Sequence, residues 1–237
     1  MNAGRFGALP RRSAALLATV TAIAAMPATE SELGFSRSIT PELVQRDAAL
    51  FGSGVPVRLH AWQDFVQRIH SQPPSGREMS NEVALLAPVN QFFNRTPPIS
   101  DRELWHVDDY WATPAEMLSA NGGDCEDYAI AKYFALKELG VPVAKLRLVY
   151  ARTWYAANEA HMVLAYYDSP DADPLILDNL DGVISSAASR PDLTPVYTFN
   201  DEDMMLLQKN APALHLPTAS NRKWQSLIDK LRREVTA

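Results

Sequence analysis

The sequence predicts an α+β fold in which helices pack against an antiparallel β-sheet. Two observations carry this prediction. Up to Pro142 apolar residues recur at three- and four-residue intervals, and beyond it they gather in short runs rich in strand-forming types. A third observation bounds it: 47% of the 237 residues are apolar and 21% charged, a balance that excludes both a disordered tail and a bundle of membrane helices.

The elements follow in order. Arg5, Arg11 and Arg12 precede an Ala/Leu/Val run over 13–25 and small residues at Ala22, Ala24 and Ala28, the pattern of a secretory leader over residues 1–28. Residues 29–237 are then expected to form a single domain, since that length suits one core better than two. The 28–56 region, broken by Gly, Pro and Ser, is expected to be an extended arm or small helices. Leu59, Trp62, Phe65, Val66 and Ile69 mark a helix that ends near Pro73-Pro74. Val83, Leu86, Val89, Asn90 and Phe93 mark another, which Pro88 is expected to bend or interrupt.

Thr113-Pro114-Ala115-Glu116 reads as an N-cap, a proline at N1 and a glutamate at N3, so a short helix starts there and stops by Asn121-Gly122-Gly123. A further helix starts at Cys125. Tyr128, Ala129, Lys132, Tyr133, Leu136 and Leu139 continue it, with Lys132 expected to reach solvent, and Gly140 and Pro142 end it. Strands are predicted over 146–152, 161–167 and 175–180, with Tyr197-Thr198-Phe199 as another, and Trp224, Leu227, Ile228 and Leu231 share one face of a last helix over 222–232.

The formal charge of −6 comes without a basic stripe or tail, so nucleic acid is excluded as a partner on charge. One cysteine and five scattered histidines give no zinc spacing, and no glycine pattern forms a phosphate loop or a dinucleotide fingerprint. Cys125 cannot form an internal disulfide. It follows a glycine turn and opens a helix, where free N–H groups and the helix dipole favour a thiolate. His161 starts one predicted strand and Asp178 ends the next. If those strands are adjacent and antiparallel, the imidazole and carboxylate meet at one sheet edge, and the three residues form a candidate nucleophile, base and orienting acid. Asp124 and Glu126 oppose this, because at about 6 Å each costs a thiolate about 3 kcal/mol at an effective dielectric near 20. Their carboxylates must therefore point away, be hydrogen-bonded or hold a cation. Trp111 either lines the pocket or belongs to the core, and Asp127 is the weaker metal candidate because it can cap the helix.

The string Asn121-Gly122-Gly123-Asp124-Cys125-Glu126-Asp127-Tyr128-Ala129-Ile130-Ala131-Lys132, with His161-Met162-Val163 and Leu177-Asp178-Asn179, resembles the bacterial transglutaminase-like cysteine proteinases across residues 55–210. It is most similar to the periplasmic members that release large surface adhesins. The resemblance implies a papain-like, transglutaminase-like core, with Cys125 as nucleophile, His161 as general base and Asp178 as orienting carboxylate. It implies hydrolysis, an oxyanion site that includes the Cys125 N–H and a group from the preceding loop, and calcium held by Asp124 and Glu126. Two ligands do not fill a calcium shell, so backbone oxygens of residues 155–159 and water are expected to complete it. The implied substrate is the N-terminal region of an adhesin, and the implied inhibitory partner is an inner-membrane receptor for a cyclic dinucleotide. Cross-linking of glutamine side chains by the same thioester and a non-catalytic, calcium-dependent binding module are the alternatives.

Overall fold

A computed structural model describes residues 34–72, 81–154, 160–208 and 211–236. The predicted leader over 1–28 lies outside them, as do residues 155–159, considered above for metal-binding oxygens. Among the described residues the helices are α1 (Phe35–Ser38), α2 (Pro41–Phe51), α3 (Val55–Ser71), α4 (Asn81–Phe93), α5 (Asp101–Leu104), α6 (Pro114–Ala120), α7 (Cys125–Glu138) and α8 (Arg222–Thr236). The strands are β1 (Leu146–Thr153), β2 (Ala160–Tyr166), β3 (Leu175–Leu177), β4 (Ser185–Ser186), β5 (Leu193–Phe199), β6 (Met204–Leu206) and β7 (Leu214–Leu216). They form one antiparallel sheet in the order β4-β3-β2-β1-β5-β6-β7. The α+β architecture expected from the change of pattern at Pro142 is the one observed.

Local chemistry explains the helix starts. Thr40 accepts the Leu43 N–H with Pro41 in the first turn of α2, and at α6 the Thr113/Glu116 capping box is complete. Asn121 closes α6 in the left-handed region, φ 54°. The expected interruption at Pro88 does not occur: α4 runs through it. An interior proline costs about 3 kcal/mol. Leu86, Val89 and Phe93 each regain about 1.5–3 kcal/mol by burial in the core that holds Trp62, and the sum outweighs the cost.

Helix α7 lies at the centre of the molecule, with β2 and β1 on one side and α4 and α6 on the other. Residues 127–136 are all buried, and the expectation that Lys132 reaches solvent is wrong: the residue is 0% exposed. A helix enclosed on every side has no polar face to offer. The opposite face of the sheet carries a smaller cluster of Val149, Ala151, Val163, Ala165 and Ile176. Helix α8 closes the structure over the chain segment before α6. Lys230 Nζ donates to the Trp111 carbonyl and to Glu116, both at 2.7 Å, and Thr113 Oγ1 donates to Glu234 at 2.6 Å.

Candidate active site

The nucleophile end is built from backbone outward. Gly123 leaves room for Asp127, since an added Cβ would stand 2.8 Å from Asp127 Oδ2. Asp127 Oδ2 accepts the Asp124 N–H at 3.3 Å and Oδ1 accepts the Ala112 N–H at 2.8 Å, so one buried carboxylate caps α7 and ties it to the 111–113 segment. Cys125 then sits at the first helical position, as the glycine turn predicted. Its Sγ donates to Glu126 Oε2 at 3.1 Å, and the Met162 N–H faces it. Burial, and next the Glu126 carboxylate, push the thiol well above its ordinary range, whereas the Met162 N–H pulls the other way. Here burial together with the flanking acid works against the helix terminus, which alone would favour the thiolate.

His161 and Asp178 meet. Strands β2 and β3 pair with Leu164 opposite Leu177, which sets Asp178 diagonal to His161 on the same face of the sheet. His161 Nε2 lies 2.8 Å from Asp178 Oδ1, and both residues are buried. The strand predicted over 175–180 stops at Leu177 because Asp178 Oδ1 also accepts the Leu180 N–H at 3.0 Å and turns the chain. Asp178 Oδ2 accepts from Arg190 at 2.8 Å, and Arg190 in turn holds Asp192 through Nε–Oδ1 at 2.9 Å and Nη2–Oδ2 at 2.7 Å. Burial would raise the Asp178 carboxyl, but the bonds from His161, Leu180 and Arg190 hold it down at about 2. Asn94 Nδ2 donates to the Asp178 carbonyl at 2.8 Å.

Cys125 and His161 line one cleft of about 320 Å³, together with Trp111, Glu126, Tyr150 and Tyr197. Trp111, for which pocket and core were both open, belongs to both: it stacks on Phe199 at 5.8 Å and faces the cleft. Asp178 stands behind His161, outside the lining. The hydrogen bond of the sulfur goes to Glu126, not to the imidazole. Arg190 and Asp192 escaped the sequence reading, as no spacing links them to the site before β3 and β5 are placed in one sheet.

The acidic residues gather more closely than the sequence indicated. Ligand atoms of Asp124, Cys125 and Glu126 lie within 4.8 Å of one another, as do those of Asp101, Asp124 and Asp127, and those of Asp101, Asp109 and Glu126. Asp101 and Asp109 are additions from the α5 region. Asp124 Oδ1 and Asp101 Oδ1 are buried without a partner among the described residues. Burial, and next Glu126, push the Asp124 carboxyl up to about 8. Hard oxygen donors with buried unpartnered atoms fit a hard divalent cation. Asp127 fits less well, because both its oxygens already accept backbone N–H groups.

Lys132, two turns along α7 from Cys125, has no hydrogen-bond partner for Nζ among the described residues and lies 5.7 Å from the Tyr128 ring centroid. Burial lowers it to about 7, with the Asp178 charge working against that fall. The folded protein therefore binds fewer protons than the unfolded chain between pH 7 and the ordinary lysine value of 10.5, so stability rises with pH across that window and the full penalty applies below it. Lys132→Met, similar in shape and uncharged, is expected to raise the thermal midpoint by about 5 °C or more at pH 6, with the gain shrinking toward pH 10. Thermal denaturation at the two pH values checks this, and an equal or lower midpoint at pH 6 would mean that the ammonium is compensated in the fold.

Comparison with known proteins supplies relatives for this arrangement. Residues 62–192 match the family model described as bacterial transglutaminase-like cysteine proteinase BTLCP. The chain is similar to the structure of Legionella pneumophila LapG in its EGTA-treated form, with 37% identity over 81% of this chain and 98% of that one, at a TM-score of 0.66. The calcium-bound form of the same Legionella protein matches at 37% identity over 81% and 99% of the two chains, with a TM-score of 0.63. A comparison with curated protein sequences finds no match.

Proposed function

Since the chain belongs to the bacterial transglutaminase-like cysteine proteinase family, we propose that it is a periplasmic, calcium-dependent cysteine endopeptidase that cuts the N-terminal region of a large surface adhesin and so controls biofilm attachment. A leader over residues 1–28 and a single domain over 29–237 are part of the same proposal. The observation that carries it is the cleft lined by Cys125 and His161, with Asp178 2.8 Å behind the imidazole.

With Nε2 engaged by Asp178, Nδ1 is the ring nitrogen left to take the thiol proton. Cys125 attacks the peptide carbonyl as its proton passes to His161, forming a C–S bond. The carbonyl oxygen takes the negative charge and the Cys125 backbone N–H, at the first helical position of α7, donates to it. His161 then gives its proton to the departing amine as the C–N bond breaks. Water adds to the thioester with His161 again as base, and the acid and the thiol are released. Asp178 keeps the imidazole in one tautomer and balances its charge.

Asp124 and Glu126 are the proposed calcium ligands, with Asp101 and Asp109 close enough to contribute. A bound cation would supply positive charge where Glu126 now opposes the thiolate. The captures of the Legionella protein in calcium-bound and EGTA-treated forms support calcium as the cation. An inner-membrane receptor for a cyclic dinucleotide is the proposed inhibitory partner.

The test is incubation of protein lacking residues 1–28 with an N-terminal adhesin fragment, in calcium or in EGTA, read by mass spectrometry. One cut in calcium and none in EGTA is the expected result. Joined masses would favour cross-linking, and binding at unchanged mass would favour a non-catalytic module. Asp124→Asn with Glu126→Gln is expected to lose most calcium uptake by titration calorimetry, and unaltered affinity would remove them as ligands.

A further inference from the structure

The mechanism leaves unused the buried cation that bonds to Asp178. Arg190 is 6% exposed and lies between two carboxylates, Asp178 and Asp192, that are themselves 1% and 5% exposed. Its backbone is fixed as firmly as its side chain. The Arg190 N–H donates to Ala187 O at 3.0 Å, and the Arg190 carbonyl accepts the Leu193 N–H at 3.1 Å where β5 begins. The guanidinium fork meets Asp192 with two nitrogens, and one of these, Nη2, also reaches Asp178 Oδ2.

Asp178 needs such a contact. The terminal torsion of an aspartate is broad, so a carboxylate held by one oxygen can swing about that anchor. Oδ1 carries the bonds to His161 and Leu180, and Oδ2 has Arg190. Anchoring both oxygens fixes the carboxylate plane, and with it the ring that Oδ1 orients. We propose that Arg190 is a positioning residue of the hydrolytic centre: seated on Asp192, it clamps the second oxygen of Asp178 and thereby holds His161 in its working orientation. This rests on the reading of His161 and Asp178 as base and orienting acid.

The charged groups that face Asp178 are His161 from β2, Arg190 from the segment before β5, and Lys132 from α7, with Asp192 behind Arg190. Removing the guanidinium alone leaves two buried carboxylates with less compensation, so Asp178 takes up a proton at a higher pH. The sign is fixed: a carboxyl held down by a cation rises when the cation goes.

The experiment follows the side-chain carboxyl carbon of Asp178 by NMR in the intact protein, assigned by its loss in Asp178→Asn, and in parallel kcat and KM on the adhesin fragment at neutral pH. The wild-type signal should stay that of a carboxylate through the ordinary aspartate range. Arg190→Gln should move the carboxyl transition up by about one pH unit or more and lower kcat at little-changed KM. Arg190→Lys should recover most of that displacement through its charge, yet keep a lowered kcat at unchanged KM, because an ammonium cannot reproduce the fork. A merely structural arginine would move stability and leave the carboxyl transition and kcat in place. A wild-type transition within the ordinary range, or an unmoved transition in a folded Arg190→Gln, overturns the proposal. Should Arg190→Gln not fold, the wild-type titration and Arg190→Lys decide. Absence of any cleavage by the wild type would defeat the protease reading, while the carbon resonance would still report on Arg190.

Discussion

Replacing Cys125 by alanine is expected to abolish peptide-bond cleavage, with a loss on the order of 10⁴ to 10⁶-fold in kcat. No neighbouring group can take over. Cys125 is the only cysteine in the chain, and no other side chain lining the cleft can form a thioester. The change removes one atom from a partly buried position that opens α7, and alanine is the best helix former, so the fold is expected to survive. Substrate should still enter the cleft, since Trp111, Tyr150 and Tyr197 are untouched. Circular dichroism, pull-down of the adhesin fragment and a mass-spectrometric time course together check this. Persistent cutting by a folded Cys125→Ala protein would take the sulfur out of the mechanism.

The second large effect is expected from Asp178→Asn, through tautomer choice. Arg190 has only donors and carries a full charge that outweighs the neutral Leu180 N–H on the other side, so the amide should turn its oxygen toward the guanidinium and its NH₂ toward His161. Nε2 must then accept, the ring proton moves to Nδ1, and the nitrogen left for the thiol is blocked. Where an aspartate orients a catalytic imidazole, this change lowers kcat by about 10⁴-fold. KM should move little, because Asp178 stands outside the cleft. Steady-state kinetics at neutral pH check the split, and a kcat within about tenfold of wild type would mean that the carboxylate does not orient the base.

Much of this architecture was legible in the chain. The switch from three- and four-residue spacing to short β-branched and aromatic runs marked where helices give way to strands, and Thr113-Pro114-Ala115-Glu116 announced α6 through its cap. The glycine turn before Cys125 announced α7. His161 and Asp178 were readable because antiparallel neighbours bring a strand start beside a strand end. What could not be read depends on enclosure and on distant partners. Lys132 has the composition of a surface residue, and only the packing of α4, α6 and the sheet about α7 removes its solvent. Pro88 is a helix breaker by local rule, overruled by the aromatic core around Trp62. Arg190, Asp192, Asp101 and Asp109 join the site from separate segments, so nothing in their spacing identifies them.

Helix α8 has a consequence for the order in which the catalytic apparatus matures. The sheet and the nucleophile helix are drawn from residues 125–216, whereas Trp111 has its carbonyl held by Lys230, 119 positions later in the chain. Pairings of such long range form late in folding, after the entropy of closing the intervening loop has been overcome. A chain whose strands have already paired would thus still lack a fixed Trp111 wall for the cleft until the final helix docks. On the proposed protease reading the safeguard would be kinetic: a half-built molecule would not yet cut its neighbours.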